Sequence, residues 1–123
     1  MTKPAANDAV LIRDLKVATL IGVHPWERKA PQTLLLDLEL ACDARRGAKR
    51  DAIADALDYE AVARRLGELG KASSFQLLES FAEAAATMLH AEFEVTRLVL
   101  TVRKQGALRE AREVAVRIER QFD

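Results

Sequence analysis

Hydrophobic and polar residues alternate most regularly between residues 32 and 42. Leu34, Leu36, Leu38 and Leu40 share one parity, and Thr33, Asp37 and Glu39 take the other. A period of two puts the leucines on the buried face of a strand. Residues 9–24 also read as extended, with Val10, Leu11 and Ile12 followed by Val17, Thr19 and Ile21. The polar pair Arg13-Asp14 interrupts this run and predicts a bulge or bend. Gly22 and Pro25 end it. The short connection between the two runs makes them a pair.

A different period follows. Residues 43–57 are polar and irregular, and read as a solvated loop. Asp58 then has the position of an N-cap, with Glu60 in the first turn, for a helix to about Lys71 that buries Val62, Leu66 and Leu69. Gly67 and Gly70 are expected to weaken it. Ser73 or Ser74 is the expected cap of a second helix, from about Phe75 to Phe93, with Leu78, Ala82, Ala85, Leu89 and Phe93 on its apolar stripe. Leu98, Leu100 and Val102, then Val114, Val116 and Ile118, restore the period of two on either side of Gly106. The order strand, strand, helix, helix, strand, strand implies an α+β layer, a four-stranded antiparallel sheet with both helices on one face. Residues 1–8 read as a flexible N-terminus and 9–121 as a single domain. Such a sheet leaves two open edges, so a closed homo-oligomer is expected.

Composition narrows the function classes. The 123 residues carry 19 Lys+Arg and 19 Asp+Glu, a formal charge of zero. That balance lacks the cationic excess of a dedicated nucleic-acid binder. The apolar runs are too short for a spanning helix, so no membrane partner is expected. With a single cysteine, Cys42, and two histidines, His24 and His90, no disulfide framework or His-rich metal site is expected. A reducing, cytoplasmic location follows as the expectation. Neither a phosphate-cradling glycine loop nor a nucleophile elbow occurs.

Four short segments concentrate unusual chemistry. Ile21-Gly22-Val23-His24-Pro25-Trp26-Glu27 places the only Trp beside a carboxylate where the chain must turn. Leu57-Asp58-Tyr59 carries the only Tyr at a helix start. Phe75-Gln76-Leu77-Leu78-Glu79 puts a carboxylate at the start of a helix. Lys104-Gln105-Gly106-Ala107 ends a strand on a lysine. In order and spacing these four segments resemble the dihydroneopterin aldolase family, over about Val10 to Arg120. The family pattern is I-G-V/I-x-x-W-E, L-x-Y, F-x-L-[LV]-E and K-P-G-A. The resemblance implies the tunnelling fold, with tetrameric rings, usually stacked as octamers, and active sites between subunits.

The resemblance also implies roles. Glu79 is the pterin anchor, since a carboxylate accepts both parallel N–H donors of a pyrimidinone edge. The Leu78 backbone supplies the adjoining contact. Lys104 is the general acid/base for retro-aldol cleavage of 7,8-dihydroneopterin, with a pKa that Arg103 helps to lower if it points the same way. Tyr59 comes from the neighbouring subunit as proton relay or orienting group. Glu27 is the second carboxylate, binding the side-chain hydroxyl region or its water. Neither a cofactor nor a metal is implied, because the pterin C=N bond is itself the electron sink. Read without the resemblance, Glu79 favours a helix dipole, Lys104 is a solvated strand-end lysine, Tyr59 a half-buried aromatic and Glu27 a turn residue. Trp26 is expected to pack under its turn, His90 to lie on a helix surface and Cys42 to act as a small strand-end hydrophobe.

Gln105 departs from the family, which has proline there. It leaves the backbone after Lys104 freer. The closest rival is dihydroneopterin triphosphate 2′-epimerase, whose lysine turn runs K-L-H-A-L; Gln105 and Ala107-Leu108 lean toward it, IGVHPWE toward the aldolase. Epimerisation to dihydromonapterin is a conceivable side reaction of the aldolase itself. A non-catalytic pterin-binding oligomer is the alternative from another class. Zinc-dependent relatives of the same fold, GTP cyclohydrolase and pyruvoyl-tetrahydropterin synthase, need His/Cys motifs that the sequence lacks.

Overall fold

In the computed structural model, which describes residues 8–123, alternation becomes a four-stranded antiparallel sheet. Strands β1 (Ala9–Thr19), β2 (Gln32–Ala41), β3 (Arg97–Gln105) and β4 (Glu113–Gln121) lie side by side in chain order. The N-terminal segment expected to be flexible falls, apart from Asp8, outside the described residues. β1 stops at Thr19, short of residue 24; Gly22 takes a φ of +130°, and a 3₁₀ turn at Pro25–Arg28 follows. The expected irregularity in β1 is present, as the register shifts between Ile12 and Leu15. Asp14 sits there at φ +56°. Its N–H donates to Asp37 Oδ1 of β2 at 2.9 Å, and its carboxylate accepts from Arg103 of β3 at 2.6 Å. The bulge is therefore pinned across three strands.

Two helices pack on one face of the sheet. Helix α2 (Tyr59–Ala72) starts where Asp58 predicts, the Asp58 carboxylate accepting the Ala61 N–H at 3.1 Å. It buries Val62 and Leu66, with Leu69 only partly covered. Helix α3 (Leu78–Phe93) begins three residues later than expected. Neither serine caps it: Ser73 Oγ donates back to Leu69 O, and Ser74 O accepts a side-chain hydrogen bond from Arg28. With their carbonyls drawn to Arg28, Ser74 and Phe75 stay outside the helix. Phe81, absent from the expected stripe, is fully buried.

The stretch 43–57 is a correction. It holds a short helix, α1 (Ala44–Arg50), and a 3₁₀ turn at Ile53–Asp55. Asp43 caps α1 by accepting from Arg45 N at 3.1 Å, and Lys49 and Arg50 occupy its negative end. No residue of α1 is buried, so hydrophobic periodicity carried no signal for it.

The core lies between β2, β3, α2 and α3. Leu34, Leu36, Leu38 and Leu40 meet Val62, Leu66, Phe81, Ala85 and Leu89. Gly70 corrects another expectation: it does not simply weaken α2, it lets the helix touch β1. A Cβ there would lie 2.5 Å from Val17 Cγ1 and 2.6 Å from Ala18 O. Alanine in a helix gains about 1 kcal/mol over glycine. Overpacking costs roughly 1–3 kcal/mol, and a backbone carbonyl yields little. The clash should win, so Gly70→Ala is expected to lower the denaturant midpoint rather than raise it.

Candidate active site

Lys104 continues the parity of Leu98, Leu100 and Val102, so β3 directs it to the helix-covered face. Only 9% of the residue is exposed. A lysine in such a place needs a partner. Glu27 supplies it from the 3₁₀ turn, Oε2 accepting a short hydrogen bond from Lys104 Nζ. The other oxygen, Oε1, accepts the His24 N–H at 3.2 Å. The Glu27 side chain lies over Gly22, where a Cβ would come within 2.6 Å of Oε1. The hydrogen bond from Lys104 holds the Glu27 carboxyl below its ordinary value of 4.5, with burial opposing and the His24 N–H assisting.

The sign of the pH effect follows. A carboxyl with a lowered folded pKa stabilises the fold above its unfolded value, and that contribution is lost as pH falls through the folded one. Stability is therefore expected to drop only on acidification below about 4.5. Glu27→Gln should flatten that part of the profile, as read by thermal unfolding across pH.

A second wall comes from the chain ahead of α3. Arg28 donates to Phe75 O at 2.9 Å, to Ser74 O at 2.6 Å and to Gly22 O at 3.2 Å. Thr19 Oγ1 meets Ser73 O at 3.4 Å. These bonds hold the start of α3 beside the Glu27 turn. Leu77 leads into α3 with no side-chain cap, so the first N–H groups of the helix stay free of a capping side chain. Glu79 stands in this first turn, exposed and with no hydrogen-bond partner among the described residues. A free carboxylate next to uncapped N–H groups can receive a planar edge carrying both donors and an acceptor.

Tyr59 is elsewhere. It lines an open cleft of about 720 Å³ with Val10, Ala41, Cys42, Val95 and Thr96, where β1 and β3 begin and β2 ends. Lys104 is near the far end of β3, eight residues past Thr96, or about 26 Å along the chain at the rise of a strand. Glu27, Lys104, Leu78 and Glu79 thus share one end of the sheet, and Tyr59 lies at the other. Among the described residues, a second cleft across β2, β3 and β4 is lined by Glu39, Arg97, Glu119 and Arg120 and holds none of the expected site residues.

Several readings change. Arg103 does not point toward Lys104, because consecutive strand residues face opposite ways. It pairs instead with Asp14, Asp37 and Glu113. Trp26 does not pack under its turn: it is 68% exposed, its ring stacked on His24 at 4.4 Å. His90 is a half-buried helix residue, bonded through Nδ1 to Val95 O at 2.9 Å and stacked on Phe122. Burial and the nearby Asp8 and Asp43 push the Cys42 thiol up, away from nucleophile chemistry. Arg28 and Gln32 were missed as parts of the site. Gln32 Nε2 donates to Ile21 O at 2.8 Å and also assists the Glu27 carboxylate. Hydropathy gave no signal for either, because both act on backbone carbonyls distant in sequence.

The comparisons with known proteins converge on one family. The family model for dihydroneopterin aldolase matches residues 10–119. A dihydroneopterin aldolase of Escherichia coli K12 is 39% identical over 113 residues, 92% of this chain and 93% of that one. A crystal structure from Vibrio cholerae described as a dihydroneopterin aldolase superposes with a TM-score of 0.91 at 41% identity, covering 95% of this chain and 99% of the other. The E. coli aldolase in complex with neopterin gives 0.88 at 38% identity, covering 93% and 99%. The dihydroneopterin triphosphate 2′-epimerase of E. coli K12 is more distant, 26% identical over 116 residues.

Proposed function

The chain belongs to the dihydroneopterin aldolase family, and from that premise we propose that Lys104, Glu27, Leu78 and Glu79, with Tyr59 of a neighbouring copy, form its active site. The activity is that of an aldehyde-lyase in folate synthesis. In it 7,8-dihydroneopterin becomes 6-hydroxymethyl-7,8-dihydropterin and glycolaldehyde. The observation that carries the site is the Lys104–Glu27 pair beside the free Glu79 carboxylate.

In this reading Glu79 and the Leu78 N–H hold the pyrimidinone edge of the pterin, as suits a relative crystallised with neopterin. The 2′-hydroxyl of the substrate then reaches the Lys104–Glu27 end. A base takes the hydroxyl proton, the C1′–C2′ bond breaks, and its electron pair enters the pterin C=N bond. C2′ leaves as the aldehyde carbon of glycolaldehyde. A proton delivered to C1′ restores the C=N bond and completes the hydroxymethyl product. Lys104 has the position to exchange both protons through water, and Glu27 the position to hold that water or the hydroxyl. The pterin accepts and returns the electron pair, so the residues need only bind, orient and move protons.

Tyr59 is too far from Lys104 within one chain to serve the same substrate, which favours a site completed by a neighbouring copy. We propose the ring oligomer that the resemblance implies, tetrameric or stacked as an octamer, in a cytoplasmic setting. The function is tested by product analysis with 7,8-dihydroneopterin and, separately, its triphosphate. Glycolaldehyde and hydroxymethyldihydropterin from the free diol are the expected result. Conversion of the triphosphate to its 2′ epimer with little cleavage of the diol would move the chain to the epimerase branch.

A further inference from the structure

Arg28 has a contact set that the reaction does not explain. Its guanidinium bonds only to backbone carbonyls: Nη1 to Gly22 O at 3.2 Å and Phe75 O at 2.9 Å, and Nη2 to Ser74 O at 2.6 Å. No carboxylate pairs with it among the described residues. One of those carbonyls belongs to the glycine beneath the Glu27 side chain. The other two belong to the extended segment that delivers Leu78 and Glu79. The two halves of the site come from opposite parts of the chain. Near Arg28, the other side-chain bond between them is the longer Thr19–Ser73 contact at 3.4 Å.

We propose that Arg28 is a positioning residue that sets the separation between the proton-transfer pair Glu27–Lys104 and the pterin-holding pair Leu78–Glu79. The proposal rests on the active site described under the proposed function and deepens it. A planar guanidinium can bond several carbonyls in fixed directions at once, which an ammonium cannot. Its partners are main-chain atoms, so the clamp fixes the path of the chain without consuming a functional side chain. Each half can still form alone: Glu27 keeps Lys104 and the His24 N–H, and α3 keeps its own hydrogen bonds. What the clamp adds is their relative placement, to which retro-aldol chemistry is sensitive.

The test compares wild type, Arg28→Ala and Arg28→Lys as full chains. It measures kcat and KM for 7,8-dihydroneopterin, equilibrium binding of neopterin, and the thermal midpoint. A displacement near 1 Å can cost about a hundredfold in rate. The alanine variant is expected to lose roughly ten- to a hundredfold in kcat while neopterin binding stays close to wild type. Lysine should recover only a small part of the loss. Millimolar guanidinium should raise kcat of the alanine variant and leave wild type unchanged. Unchanged kcat in Arg28→Ala would overturn the proposal. So would a parallel loss of neopterin binding, kcat and thermal midpoint without guanidinium rescue, since that marks a residue needed only for folding. A wild type that releases no glycolaldehyde would overturn the parent reading and the clamp with it. An active wild type beside an unaffected alanine variant would overturn the clamp alone.

Discussion

Lys104→Ala is expected to lower kcat by roughly a thousandfold, in the middle of the range that a positioned acid/base contributes. That corresponds to about 4 kcal/mol of transition-state stabilisation. Neopterin binding should persist, because Glu79 and the Leu78 N–H stand on a different element from Lys104. The variant also removes the partner of a largely buried carboxylate, the Glu27 side chain being only 14% exposed. Breaking a buried pair by deleting one member can cost about 3–5 kcal/mol of stability, so lost activity alone would be ambiguous. Lys104→Met combined with Glu27→Gln removes both charges and keeps the volume. That double variant should recover stability and remain inactive. Single-turnover product formation in both variants, read beside their unfolding midpoints, separates chemistry from folding. An active double variant would remove Lys104 from the proton path.

Gly22→Ala is expected to damage stability and turnover together. The φ of +130° lies in a region that side-chain-bearing residues rarely adopt, at a cost of about 1–3 kcal/mol. The added methyl would also stand within 2.6 Å of Glu27 Cβ and Oε1. Glu27 would have to swing away, taking Oε2 from Lys104 and Oε1 from the His24 N–H. The combined penalty is roughly 2–6 kcal/mol, from strain and overpacking. The accompanying fall in kcat should exceed any change in neopterin binding. Denaturant titration and steady-state kinetics on the same preparation test this, and a variant with wild-type kcat would show that Glu27 has another way to reach Lys104.

Much of the fold was legible because burial writes itself into alternation. The leucines of β2 and the stripe Leu98, Leu100, Val102 of β3 announced both strands. That same stripe, carried one step further, places Lys104 on the helix-covered face. Asp58 announced α2 because a cap depends on its own side chain and a nearby N–H. α1 stayed hidden because nothing in it is buried. The start of α3 was misplaced for a different reason. Ser73 and Ser74 look like caps locally, but Arg28, distant along the chain, claims the carbonyls there. Trp26 was misread because size suggests burial, whereas its ring leans on His24 in the open. The identities of the site residues came from the resemblance carried jointly by four motifs in order and spacing, and their arrangement required the fold. Only the structure places Glu27 over Gly22 and shows which carboxylates Arg103 pairs with on the opposite face from Lys104.

The separation of Tyr59 from Lys104 along one sheet bears on how the protein behaves when it is scarce. On the proposed division of labour, every working centre draws Glu27, Lys104, Leu78 and Glu79 from one chain and Tyr59 from another, while each chain keeps its own core of leucines and Phe81. Folding and turnover then obey different concentration laws. Dilution would silence the catalyst before it unfolded the polypeptide, and a chain defective at one end could still lend a sound opposite end to its neighbour.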